Sequence, residues 1–384
     1  MPYSNGIEAK VGQVKFDGFG RAFGSVSVAA VAALVLAGCG SDDNVPTGAA
    51  PTGAADCGGK TNITAEGSTA QQNAVAMFNQ VWGQLCPGKN MSYNPTGSGA
   101  GREQFIAGQV DFAGSDSPLS ESQVPQAAQR CDGHPAWHLP LVFGPVALAY
   151  NLDGVDDLVL NADVLARIFQ GQITNWNDPA IAALNEGVAL PDAPITPIYR
   201  SDSSGTTDNF QKYLAAAAPE SWTRGDGSEF QGGAGEGAQK SAGVVQAVQA
   251  TPGAIGYVEV GFAQQAGVPY AKLDSGAGAV ELTDESAGKA IDAARFAGDG
   301  QDLVLDLNSL YGTREPGAYP LVLATYEIVC SNGYDPDTAT AVKSFLTAAA
   351  DDGQSGLSAA GYVPLPERFK ERLLGSIDAI GSNP

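Results

Sequence analysis

The sequence predicts an α/β fold arranged as two lobes, and three observations carry that expectation. From residue 60 onward, short apolar strands alternate with stretches of helical periodicity, the pattern of an α/β protein rather than of a sandwich or a bundle. The 384 residues, 43% of them apolar, are enough to build two lobes with their own cores. Two long apolar runs broken by Pro or Gly, Leu139 to Tyr150 and Tyr319 to Cys330, suit strands that cross between lobes and serve as hinges. The expected division puts residues 58–140 and 320–384 in one lobe and residues 141–319 in the other.

The N-terminus reads as an export signal. After Lys10, Lys15 and Arg21, residues 25–37 form the apolar stretch SVSVAAVAALVLA, too short to span a bilayer and the right size for a signal-peptide core. It ends in Leu36-Ala37-Gly38-Cys39, small residues before a cysteine that resemble the lipobox of bacterial lipoproteins. Residues 1–38 are therefore expected to be a lipoprotein signal peptide, and Cys39 the acylated mature N-terminus on the outer face of the cell membrane. An ordinary secretory signal with an incidental cysteine is the alternative. Residues 39–57 read as a flexible tether, in which the small, polar stretch 40–56 with its short PTGAA repeat would reach roughly 21–25 Å. With Cys39 assigned to lipid, Cys57, Cys86, Cys131 and Cys330 remain, an even number in an oxidising compartment. Four cysteines allow three pairings. Cys57 and Cys86 bracket one short strand–helix unit and are expected to pair, so that Cys131 with Cys330 joins the first segment of a lobe to its returning segment.

Three successive units share a feature. Asn62 to Ala65 is a strand, Gly67-Ser68-Thr69 a turn, and Val75, Phe78 and Trp82 then fall on one helical stripe. Met91 to Tyr93 is followed by the loop Thr96-Gly97-Ser98-Gly99-Ala100-Gly101 and a helix expected to begin near Arg102, with Phe105 and Ile106 inward. Ile195 to Tyr199 is followed by Arg200-Ser201-Asp202-Ser203-Ser204-Gly205-Thr206 and a helix carrying Phe210, Tyr213 and Leu214. Glycine lets backbone approach a ligand, hydroxyls donate hydrogen bonds, and the free N–H groups of a helix start favour an anion. Three such loops could wrap a tetrahedral oxyanion. The competing reading makes Ser68, Ser98 and Ser204 simple N-caps, the commonest task of a serine before a helix.

Other function classes lose ground. With 42 acidic residues against 20 basic ones and a formal charge of -22, the chain lacks the footprint that nucleic-acid binding needs. The same charge repels an anion at long range, so an anion site must work through local donors. The chain contains no G-x-x-x-x-G-K-[ST], G-x-G-x-x-G or G-x-S-x-G motif. His134 and His138 are separated by Pro135, which argues against a metal pair on one helix face. Residues 224–243 read as a glycine-rich surface loop, and Asp153 to Asp157 as a solvated turn.

Ser68-Thr69, TGSGAGREQF at 96–105, VDFAGSDSPLS at 110–120 and YRSDSSGTT at 199–207 together resemble the phosphate-binding proteins of the phosphate-specific ABC importer, the PstS family, in its actinobacterial lipoprotein form. FQGQITNWNDPAIAALN at 169–185 and GAIGYVEV at 253–260 fit the same family, and the likeness runs from about residue 58 to 366. The resemblance implies a type II periplasmic-binding-protein fold with the ligand in the cleft between two lobes. It implies a site built from Ser68, the Thr69 hydroxyl, the backbone of Ala70, Ser98, Asp116, Arg200 and Ser204-Gly205-Thr206, with Asp202 orienting Arg200. Ala70 departs from the pattern, standing where other members often carry a bulkier residue. The implied partners are inorganic phosphate, the permease subunits of an importer and the membrane through the lipid, with no nucleic acid and no cofactor, the protein acting as a monomer without catalysis.

The implied roles make chemical sense. Arg200 offers a planar fork of donors suited to an oxyanion, and Ser98, Thr69, Ser204 and Thr206 add neutral donors. Asp116 fits beside an anion if it accepts a proton that the ligand carries, which phosphate has and sulfate lacks; the plainer reading is a turn-capping aspartate before Pro118. Another oxyanion such as sulfate or molybdate is the alternative ligand. A secreted phosphohydrolase is the alternative activity, although the chain shows no His, Asp and Glu cluster at metal-ligand spacing.

Overall fold

The computed structural model describes residues 56–382, so the signal segment, Cys39 and nearly all of the tether lie outside the described residues. The main sheet is built from β1 (Asn62–Gly67), β2 (Asn90–Pro95), β3 (Phe112–Ser115), β4 (Ala136–Tyr150), β5 (Thr196–Arg200), β6 (Glu236–Ala238), β7 (Ala254–Glu259) and β8 (Val322–Cys330). Its strand order is β2-β1-β3-β8-β4-β7-β5-β6. Strands β1, β2 and β3 run parallel, as do β5, β6 and β7. Each parallel set requires helical crossovers, which is why the sequence alternates strand and helix. The helices that matter below are α1 (Gln72–Leu85), α2 (Ser98–Ile106), α3 (Gly205–Ala217) and α4 (Lys240–Ala250).

The two parallel sets meet on the long strands. The 15-residue β4 pairs antiparallel with β8 over Ala136–Pro145, then with β7 over Val146–Tyr150. Nearly every side chain on β4, and every one on β8, is buried. This accounts for the continuous apolar runs, since a strand covered on both faces shows no alternation. The β8–β4 register slips between Thr325 and Tyr326, where Pro140, which has no N–H to offer, faces Tyr326. Two smaller sheets pair Val159–Asn161 and Ala279–Val280 with Lys272–Asp274, and Arg295–Phe296 with Leu305–Asp306.

Both expected disulfides are present, Cys57–Cys86 and Cys131–Cys330. The helical stripe Val75, Phe78 and Trp82 is buried, as are Phe105, Phe210, Tyr213 and Leu214, while Ile106 packs at the edge of the core. Two local expectations are corrected. Helix α2 begins at Ser98 rather than near Arg102, because its small residues let the first turn pack against other backbone. Residues 224–243 are not all loop: β6 adds to the sheet edge, and α4 starts at Lys240. Asp153 and Asp157 are solvent-exposed around a turn. No helix among the described residues is long and apolar enough to cross a membrane.

Candidate functional site

The three glycine- and hydroxyl-rich turns converge. Each follows the C-terminal end of a parallel strand, β1, β2 or β5, the edge at which open α/β sheets present helix N-termini to ligands. Ser68, Thr69, Ala70, Ser98, Asp116, Arg200, Ser204 and Thr206 are all at most 2% exposed. Burial on that scale demands partners for the polar atoms.

Asp116 lies where the turns meet. Its carboxylate accepts from Ser68 Oγ at 2.6 and 2.8 Å, from Thr325 Oγ1 at 2.7 Å and from Ser98 Oγ at 3.1 Å. The turn-cap reading of Asp116 therefore does not describe its side chain, which binds hydroxyls brought from distant strands. Burial pushes the Asp116 acid up, and the Ser68, Thr325 and Ser98 hydroxyls hold it back, leaving it at about 6. A carboxylate offers about four lone-pair sites, so these three hydroxyls leave room for one more donor.

Arg200, at the end of β5, is braced by Asp202 in a two-pronged pair, Nε to Oδ1 at 2.8 Å and Nη2 to Oδ2 at 2.5 Å. Burial would lower the guanidinium, but Asp202 outweighs it and keeps Arg200 above its ordinary value; in return Arg200 outweighs burial and holds Asp202 below the usual carboxylate range. The pair uses Nε and Nη2. The remaining Nη1 reaches Thr206 Oγ1 and Ser241 Oγ at 3.4 Å each, the long edge of hydrogen-bond geometry. The N–H of Lys240 donates to Asp202 at 2.9 Å and fixes the brace from behind.

The N-cap reading holds for one serine of three. Ser204 caps α3 by accepting from the Thr207 N–H at 3.2 Å. Ser98 is the first residue of α2 behind Gly97, and α1 has Gln71 at its cap position, so neither Ser98 nor Ser68 acts as a helix cap. Thr69 Oγ1 lies 2.7 Å from Ser241 Oγ, and the Ala70 N–H donates to Ser68 Oγ at 3.0 Å. Gly205 faces the same space: a Cβ there would stand 2.5 Å from Asp116 Cβ and 2.6 Å from Ser98 Oγ.

Four further residues join the constellation without having been singled out in the sequence. Thr325 reaches Asp116 from β8, and Ser241, 1% exposed, touches both Thr69 and Arg200 from the start of α4. Glu259 accepts from Thr206 Oγ1 at 2.6 Å, and the Tyr257 hydroxyl accepts from the Arg200 N–H at 3.1 Å. Thr325 and Glu259 did carry a signal, being polar residues within and at the end of largely apolar, fully buried strands. Ser241 carried none, because it sits in a run that resembles a loop.

His138 is used structurally: Nδ1 lies 2.8 Å from Asp302, and Nε2 accepts from the Leu119 N–H at 3.0 Å. No group of three or more potential metal-ligating side chains occurs among the described residues.

Residues 47–352 match the family model described as a PBP superfamily domain. Phosphate-binding protein PstS3 of Mycobacterium bovis is 50% identical over 373 residues, covering 96% of this chain and all of that protein. Phosphate-binding protein PstS 2 of Mycobacterium tuberculosis is 47% identical, covering 94% and 99%. A phosphate-binding protein PstS from Xylella fastidiosa is 31% identical, covering 89% and 93%. Among solved structures, a periplasmic phosphate-binding protein with bound phosphate has a TM-score of 0.65 at 23% identity, covering 82% of this chain and 93% of its own, and one from Stenotrophomonas maltophilia has 0.64 at 20%, covering 82% and 94%. The likeness to these structures is one of fold, the two-lobed type II arrangement of periplasmic binding proteins. By sequence over nearly its whole length, the chain belongs to the PstS family of phosphate-binding proteins.

Proposed function

We infer that this protein captures inorganic phosphate in the cleft formed by the three turns and hands it to the permease of an ABC importer. The observation that carries the reading is a braced, buried guanidinium, Arg200, and a buried carboxylate, Asp116, each surrounded by buried hydroxyls of the converging turns, Thr206 and Ser241 beside the first and Ser68, Ser98 and Thr325 beside the second. The guanidinium answers the charge of an oxyanion, and the carboxylate asks for a proton from it. Phosphate meets both demands. Sulfate meets only the first, and would leave a buried acceptor facing a like charge, a penalty of several kcal/mol. The ligand set is Ser68, Thr69, Ala70, Ser98, Asp116, Arg200, Ser204, Gly205 and Thr206, with Asp202 as brace. The binding body is two lobes, residues 58–140 with 320–384 and residues 141–319, hinged where β4 changes partner from β8 to β7. The protein works as a monomer without catalysis, tethered through lipid on Cys39.

Calorimetry against phosphate and sulfate at two pH values tests the reading: tight binding of phosphate with sulfate excluded is expected, and equal affinities would overturn it. Phosphatase assays with and without divalent metal are expected to show no turnover. Mass spectrometry of the mature N-terminus tests acylation of Cys39.

A further inference from the structure

Behind the Ser68 turn lies a buried acid that the phosphate reading leaves unused. Glu327, on β8 two residues beyond Thr325, is fully buried, and neither of its carboxyl oxygens has a hydrogen-bond partner. Gln71, also fully buried, packs against that carboxyl, and its own Oε1 has no partner either. An ionised carboxylate at this spot would be an unpaired buried charge, which costs several kcal/mol. A protonated one carries an O–H, and donating it to Gln71 Oε1 satisfies both residues at once. Burial and, to a smaller degree, the Asp116 charge push the acid up to about 8; a Gln71 N–H turned to the carboxyl works the other way, by favouring the ionised form.

What makes this more than a core detail is where Gln71 leads. Its Nε2 donates to Tyr93 Oη at 3.2 Å, and the Tyr93 hydroxyl donates to the Ser68 carbonyl at 2.7 Å. Ser68 in turn donates through Oγ to Asp116. Gly114, the residue opposite Glu327 in the ladder, makes room for the chain, since a Cβ there would stand 2.0 Å from Gln71 Nε2 and 2.7 Å from the Tyr93 hydroxyl. We propose that Glu327 is a positioning residue whose proton sets the direction of the Glu327–Gln71–Tyr93–Ser68 chain and so holds the Ser68 turn in its phosphate-binding form; this rests on the phosphate reading above. With the proton present, every donor points toward Ser68. Once it is lost, the Gln71 amide turns its N–H to the carboxylate and presents Oε1 to Tyr93, whose hydroxyl then leaves the Ser68 carbonyl. The ionisable groups bearing on Glu327 are Asp116 beyond β3, Tyr93 from β2 and, next to Tyr93, Tyr362; the residue opposite on β4 is Leu139.

The test compares the ratio of phosphate Kd at pH 9 to that at pH 6.5 in wild type, Glu327→Gln and Tyr93→Phe. Phosphate ionises alike in all three, and Asp116, at about 6, is mostly ionised at both pH values, so their effects largely cancel between proteins. The wild-type ratio is expected to exceed that of either variant by about tenfold, the change that one pH unit beyond a coupled titration gives. Difference infrared spectroscopy of ligand-free protein at pH 6.5 should show the C=O stretch of a protonated carboxylic acid in wild type that is missing from Glu327→Gln. Equal ratios in wild type and Tyr93→Phe, or no such band in wild type, overturn the proposal even if Glu327→Gln fails to fold. A wild type that takes no phosphate at either pH defeats the phosphate reading first, whereas phosphate binding with equal ratios defeats the Glu327 proposal alone.

Discussion

At the scale of single residues, the site pairs two groups whose environments pull in opposite directions. Arg200 stays charged because Asp202 compensates its burial, and its Nη1 is the cationic donor turned toward the Thr206 and Ser241 hydroxyls. Arg200→Ala is therefore expected to weaken phosphate by several kcal/mol, with Arg200→Lys recovering part of the loss, since it keeps the charge without the fork. Calorimetry with the three proteins checks this, and unchanged titration by the Ala variant would remove Arg200 from the site. Asp116 selects by what it accepts, so Asp116→Asn is expected to narrow the ratio of phosphate to sulfate affinity by turning an amide donor toward an unprotonated oxygen. In wild type the exclusion of sulfate should relax as pH falls through about 6, where Asp116 takes up its own proton. In the Asn variant the ratio should not follow that titration. A variant that excludes sulfate as firmly as wild type would place the discrimination in cleft shape.

At the scale of elements, the anion site is a meeting of helix starts. The β5–α3 turn supplies both Arg200 and Gly205, and Gly205 lets the first turn of α3 come up against Asp116 and Ser98. Gly205→Ala would put a methyl group within about 2.5 Å of the Asp116 Cβ, a separation that real Cβ atoms do not show, and the α3 turn must withdraw. Phosphate affinity is expected to fall at least about tenfold, while urea denaturation stays cooperative. Wild-type affinity in this variant would mean that α3 does not approach the ligand. Element-level reading of the sequence was good where a strand and its following helix are local, as in Asn62–Leu85. It failed at residues 224–243, where glycine richness concealed β6 and the start of α4, because an edge strand of Glu236–Ala238 is defined by its pairing with β5 and not by its own composition.

At the scale of the whole molecule, two buried acids tie stability to pH with the same sign. Asp116 rises from 3.8 to about 6 and Glu327 from 4.5 to about 8 on folding. Between each pair of values the folded protein holds a proton that the unfolded chain has released, so stability falls as pH rises across those windows. Urea denaturation is expected to show stability declining by several kcal/mol from about pH 4.5 to 8 and levelling off above, with Glu327→Gln flattening the upper part of the decline. A stability that rises over this interval would mean that neither acid is protonated in the fold. Asp202 has the opposite sign, and loses its contribution only as pH falls below the usual carboxylate range.

The sequence by itself determined the alternation of strands and helices, the even count of cysteines left for disulfides, and the glycine- and hydroxyl-rich turns, because each is written in local composition, periodicity or parity; the structure chose Cys57–Cys86 with Cys131–Cys330 among the three pairings that four cysteines allow. It also showed Arg200 beside Asp202, two residues apart on one turn. Only the tertiary structure decided what surrounds Asp116. Thr325 lies 209 residues away along the chain and Ser241 meets Thr69 across 172, so no window of sequence contains both partners. The same holds for Glu327, which in sequence is one acidic residue within an apolar run. Only the antiparallel register of β8 against β3, and the approach of Gln71 and Tyr93 from other elements, turn it into a buried acid adjoining the site.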